Sequence, residues 1–267
     1  MEKNSVVYPR IILGLDISTA CIGVCVVKDD GKSDKPEILY LGHKTPKISR
    51  NIKGIEALFI RKQIFEDEFI KEIASSYTIT DVVIEEPLLS SNNKNTVATL
   101  LRFNGMISEA IYRIIGIVPN FISSYDARMY SFPELVAIRK YNKKGEEYSI
   151  KHIESAIKNK KAVLFGSYPF DIDKKTVMMN MVNEKYNNGE IEWAYDKNGK
   201  LKKENFDACD SLICALAYVN INHHGIDEIK IENAASSENG MNNEVKFEYT
   251  TKIWDNEYDK VLIIKKN

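Results

Sequence analysis

The chain opens with short apolar runs separated by polar turns and only later changes to helical spacing. Residues 10–15 are apolar and end at Asp16; 22–28 form a second run closed by Asp29-Asp30-Gly31; 37–42 form a third. Three such runs joined by short turns predict an antiparallel meander. Between 52 and 73 the apolar positions become Ile52, Ile55, Leu58, Phe59, Phe65, Phe69, Ile70 and Ile73, which predicts one long amphipathic helix. Residues 81–86 read as a buried strand stopped by Pro87, which has no amide to continue a ladder. A polar loop at 90–95 leads into a helix over 96–115, and 118–122 reads as a fifth strand. Further helices are predicted at 133–141, 150–159 and 173–186, and a strongly apolar one at 206–221 with Asn205 as its cap. Strand-like pieces return at 245–251 and 261–264. The order predicts an α/β domain on one mixed sheet over 10–225, with an extension over 226–267.

Composition changes this picture little. Hydrophobic residues are 44% of the 267, as in ordinary folded proteins, which excludes wholesale disorder. No apolar run approaches the ~18 residues of a membrane span, so no membrane partner is expected. The first ten residues lack an apolar core and a small-residue cleavage site, so no secretory signal is expected. Lysine far outnumbers arginine, and Asn, Ile and Tyr are abundant, the usage of an AT-rich phage or bacterial genome. Cys21, Cys25, Cys209 and Cys214 do not follow zinc-site spacings and lie in apolar stretches. They read as buried free thiols, which points to the cytoplasm (of the host, for a phage protein).

Four acids carry the candidate chemistry. Asp16 closes the first strand and Glu85 the fourth, with Glu86 beside it; Asp207 and Asp210 open the last strong helix. A single acid at a strand end reaches solvent and needs no further account. If the first and fourth strands are parallel neighbours, however, Asp16 and Glu85 meet at the carboxyl edge of the sheet, where α/β sites form. Asp207 and Asp210 are spaced i, i+3 and share one helix face. At ~5 Å and an effective dielectric of ~20, each pair of carboxylates in one pocket repels by about 3 kcal/mol. Such a cluster persists at neutral pH if cations occupy it or if some acids stay protonated. Two divalent ions balance four negative charges, and an oxygen-only ligand set selects Mg²⁺, with Mn²⁺ able to substitute. Two such ions are the apparatus of in-line phosphodiester hydrolysis.

The motifs resemble a known family. The run Ile12-Leu13-Gly14-Leu15-Asp16-Ile17-Ser18 followed by Gly23 is similar to the opening of RuvC-like Holliday junction resolvases, which have the RNase H-like fold. Val83-Ile84-Glu85 resembles that family's second acidic motif, and Asp207-Ala208-Cys209-Asp210-Ser211-Leu212 its third, in the same order. The resemblance implies an RNase H-like (RuvC-type) five-stranded mixed sheet flanked by helices. It also implies a homodimeric, Mg²⁺-dependent endonuclease that nicks two symmetry-related strands of a four-way DNA junction during recombination or phage genome processing. Asp16, Glu85, Asp207 and Asp210 would be the catalytic metal ligands, and no nucleotide cofactor is implied. The helix over 96–115 is similar to the family's dimer segment, though its apolar stripe reads equally well as core. Ile17 stands where the family has proline, and Leu88 where it often has an aromatic that enters the junction.

Candidate DNA contacts follow from charge and position. Residues 139–161 carry Arg139, Lys140, Lys143, Lys144, Lys151, Lys158, Lys160 and Lys161 against three acids, a net +5. This basic insertion, within 129–161, reads as a phosphate-contacting surface or as a solvated helical hairpin. Leu88, Asn92, Asn93 and Lys94 follow the Glu85 motif, and Arg128, Lys174 and Lys175 occupy basic positions similar to the family's. Residues 227–260 net −5, so the overall −1 conceals a basic insertion and an acidic tail and does not exclude DNA. Three rival readings remain at this level: an RNase H-like nuclease for other branched DNA or RNA–DNA hybrids, a non-catalytic junction-binding module, and an actin- or sugar-kinase-like ATPase suggested by Asp16-Ile17-Ser18-Thr19. The last lacks a second Gly-rich phosphate motif after Gly116.

Overall fold

The structure, a computed structural model, describes residues 9–32, 35–87, 93–132, 174–186, 191–223, 244–253 and 256–265. The predicted helices at 133–141 and 150–159 lie outside these residues. The meander is β1 (Arg10–Ile17), β2 (Ile22–Asp29) and β3 (Glu37–Lys44). A continuous helical stretch follows, made of α1 (Gly54–Phe65), a π-helical turn (Glu66–Ile70) and α2 (Lys71–Ser76). The single predicted helix is thus interrupted by a wide turn, which sets both Phe65 and Phe69 into the core with stacked rings. Next come β4 (Asp81–Glu85), α3 (Lys94–Ile115), β5 (Asn120–Ile122) and α4 (Ser124–Ser131). Helices α5 (Lys174–Tyr186) and α6 (Glu204–His223) and a hairpin, β6 (Glu244–Ile253) with β7 (Asn256–Lys265), complete the described elements.

The sheet has the order β3-β2-β1-β4-β5, with the first three strands antiparallel and β1, β4 and β5 parallel. This is the mixed five-stranded α/β arrangement expected from the sequence. β1 lies at its centre and is covered on both faces. Ile12, Cys25, Val27 and Val83 pack against α6 and α5 on one face. Leu13, Leu15, Val24, Val26, Val82 and Ile84 pack against α1, the π turn and α3 on the other. The near-continuous apolar runs of β1, β2 and β4 answer to this two-sided burial. All four cysteines are free and buried, as expected. Burial pushes the Cys21 and Cys25 thiols up to about 12, so neither is a thiolate at neutral pH.

Local signals explain the element ends. The Asn93 side chain accepts from the amides of Asn95 and Thr96 and caps α3, which ends at Gly116 in a left-handed conformation. Ser123 caps α4 in the same way, a helix that apolar spacing does not announce. Asn205 is not the cap predicted for the last helix. That helix begins at Glu204, and the Asn205 amide instead exchanges two hydrogen bonds with the backbone of Ala194, holding the segment before α6 against it. No helix among the described residues is long and apolar enough to cross a membrane.

Candidate metal centre

Leu15 pairs with Ile84, so Asp16 and Glu85 are the next positions on two adjacent parallel strands, at the carboxyl edge of the sheet. On the other side of β1, Gly23 of β2 stands directly opposite Asp16. The third element arrives because two glycines make room for it. A Cβ on Gly14 would lie 2.5 Å from the Ser211 carbonyl oxygen, and one on Gly23 would lie 1.8 Å from that of Asp207. The α6 backbone therefore rests on the sheet at the turn that carries Asp207 and Asp210. Ligand oxygens of Asp16, Asp207 and Asp210 all lie within 4.8 Å of one another.

Electrostatics follow from this crowding. Burial, and then the charges of Glu85, Asp210 and Asp207, push the Asp16 carboxyl well above the usual range. Burial and Asp210 raise Glu85 as well, against the opposing pull of a hydrogen bond with Ser124 and the charges of Arg128 and Lys175. Burial also raises Asp210, with Lys175 and Arg128 opposing it. Lys175 Nζ is 3.2 Å from Asp210 Oδ2 and 3.8 Å from Asp207 Oδ1, and Arg128 Nη2 is 3.5 Å from Asp210 Oδ1. Asp210 is only 3% exposed, yet its Oδ1 accepts no hydrogen bond. A buried carboxylate oxygen that accepts no hydrogen bond and has the Arg128 guanidinium only at 3.5 Å, inside an oxygen-only set of acids, fits a hard divalent cation. Asp16, Asp207 and Asp210, with Glu85 beside them, are the residues that could hold it.

Of the other candidates, Arg128 and Lys175 lie on the acids themselves. Asn93 spends its side-chain oxygen on the α3 cap, and Lys94 is exposed on the first turn of that helix. Glu86 turns outward, its amide donating to Ile122, while Glu85 faces the cluster. Leu88, Asn92, Arg139, Lys140, Lys143 and Lys144 lie outside the described residues, as does the side chain of Lys174. Ser124, which hydrogen-bonds Glu85, escaped the sequence reading. So did Asn104, a buried residue of α3 whose amide donates to Ile17 and Leu100 carbonyls beside Asp16. The polar run around Ser123 and the single Asn within an apolar helix were the available signals.

Fold and site together define an α/β protein with an acid cluster at the carboxyl edge of a mixed sheet. No protein-family model matches the chain, and no curated protein matches it. Among solved structures it is similar to T. thermophilus RuvC in complex with Holliday junction substrate, at 9% identity and TM-score 0.46, covering 80% of this chain and 97% of that one. Thermus thermophilus RuvC alone gives 15% identity and TM-score 0.44 over the same shares. The yeast mitochondrial Holliday junction resolvase Ydc2 gives 14% identity and TM-score 0.44, covering 80% of each chain.

Proposed function

We propose that this protein is a divalent-metal-dependent endonuclease that resolves four-way DNA junctions by paired nicks. The observation that carries the reading is the convergence of Asp16, Asp207 and Asp210 on one spot at the sheet edge, with Glu85 beside Asp16 on the neighbouring strand. The three sequence motifs that resemble the resolvase family supply those same four acids. Mg²⁺ is the ion proposed, because every donor is a carboxylate oxygen. When bound, divalent ions supply an activated water at neutral pH and stabilise the leaving 3′ oxygen. The chain's own part is to fix the acids by strand register and helix contact, and to oppose their charge with Arg128 and Lys175. Its basic 139–161 segment and Lys94 would meet the phosphates of the arms.

A homodimer belongs to this proposal, since a junction with near two-fold symmetry suits a two-fold enzyme. Helix α3 offers a surface for it. Gly105 is exposed with open space where a Cβ would stand, between exposed Leu101 and Tyr112 on the same helix. The nuclease unit would be residues 10–225, with 226–267 an acidic appendage and the cytoplasm its compartment.

The test is cleavage. With Mg²⁺, the protein should cut a synthetic four-way junction much faster than linear duplex or an RNA–DNA hybrid. Asp16→Asn should abolish cutting by at least about a thousandfold while junction binding survives. Equal rates on junction, duplex and hybrid would contradict the assignment.

A further inference from the structure

The acid cluster is not bare. Lys175, on the first turn of α5, reaches two of its four carboxylates, and Arg128, on α4, reaches a third contact point at Asp210. Four ionised carboxylates with these two cations carry a net −2, which one divalent ion neutralises. A second divalent ion would bring the pocket to +2, and withdrawal of one of the chain's own cations would halve that excess. The two cations differ in their freedom to do so. The Arg128 side chain is three-quarters covered, whereas that of Lys175 is 48% exposed on a four-carbon stem. An ammonium is a compact, strongly hydrated charge that moves into water more readily than a packed guanidinium.

We propose that Lys175 is a built-in counter-ion that holds Asp207 and Asp210 together in the metal-free protein and competes with divalent cations for them. Its withdrawal would then make room for the second ion, and an arriving DNA phosphate is the group of right charge to draw it out. In the structure Lys175 Nζ lies 3.2 Å from Asp210 Oδ2 and 3.8 Å from Asp207 Oδ1. Asp210 Oδ1, which accepts no hydrogen bond and faces Arg128 at 3.5 Å rather than Lys175, is the oxygen left for the first ion. This inference rests on the cation-site reading of the previous subsection.

The test is Mn²⁺ binding to the full-length, EDTA-stripped protein without DNA, by calorimetric titration, alongside metal-free melting temperatures. Lys175→Met should tighten Mn²⁺ binding on the order of tenfold and lower the metal-free melting temperature. Lys175→Arg, which keeps the charge, should stay close to wild type on both counts. Mn²⁺ binding by wild type that Lys175→Met leaves unchanged or weakens would overturn the role of Lys175, as would equal tightening by Lys175→Arg. Absence of Mn²⁺ binding in wild type and variants alike would instead overturn the cation site itself.

Discussion

Strands β1 and β4 run side by side in the same direction, and each of their two ends brings charged residues together. At the amino ends, Arg10 pairs with Asp81; at the carboxyl ends, Asp16 meets Glu85. Asp81 is fully answered by the chain. Arg10 donates to both of its oxygens, Thr80 Oγ1 lies 2.7 Å away, and the Tyr218 hydroxyl 3.0 Å away. Burial would raise the Asp81 carboxyl, but the hydrogen bonds from Arg10 and Thr80 hold it below the usual range. At the other edge burial is reinforced by neighbouring acids, and Asp16 and Glu85 rise. One edge is a finished structural joint. The other is left short of positive charge, which is the condition for taking up a cation from outside.

The largest effect should come from disturbing what brings α6 to the carboxyl edge. In Gly23→Ala the new Cβ would meet the Asp207 carbonyl at 1.8 Å, a backbone collision that no rotamer relieves. We expect a loss of about 3 kcal/mol, hence a melting temperature lower by roughly 10 °C, together with loss of cleavage. Thermal melting and the junction assay read both. The amino edge should behave differently: Arg10→Met leaves Asp81 buried with its main partner gone, at about 2–3 kcal/mol. Its cleavage rate at moderate temperature should stay that of wild type. A loss of cleavage matching that of Gly23→Ala would mean that the two edges are not independent.

The smallest effect is the most discriminating. Asp81, lowered on folding, contributes stability at neutral pH that is lost only as pH falls through its depressed pKa. Asp16, raised on folding, has the opposite sign: the metal-free protein gains stability as pH falls through its elevated pKa, because the native state takes up the proton first. In EDTA, Asp16→Asn should therefore raise stability by about 1 kcal/mol near pH 8, seen as a higher melting temperature, with the gain vanishing near pH 4. A gain that grows toward acid would contradict the crowded-acid picture.

Much of this arrangement was legible in the residues. The apolar runs that end at Asp16 and at Glu85 located two strand ends, and the i, i+3 spacing of Asp207 and Asp210 placed both on one helix face. Gly14 and Gly23 also stand in the sequence, but their purpose appears only once α6 is seen resting on them, because a strand pattern does not say which helix covers it. Three features escaped for physical reasons. The π turn at Glu66–Ile70 keeps the apolar spacing of an ordinary helix, so periodicity cannot reveal it. Asn205 looks like a cap in sequence, yet its amide is taken up by Ala194. Lys175 and Arg128 read as candidate DNA contacts, because sequence position does not show that α4 and α5 turn them toward the acids.

The account stands on the claim that the carboxyl edge holds a divalent cation. Crystals grown with Mn²⁺ and measured for anomalous scattering test it most directly. The expected result is a peak roughly 2.0–2.2 Å from carboxylate oxygens of Asp16 and Asp210. Mn²⁺ found only elsewhere, with none at the carboxyl edge, would contradict it.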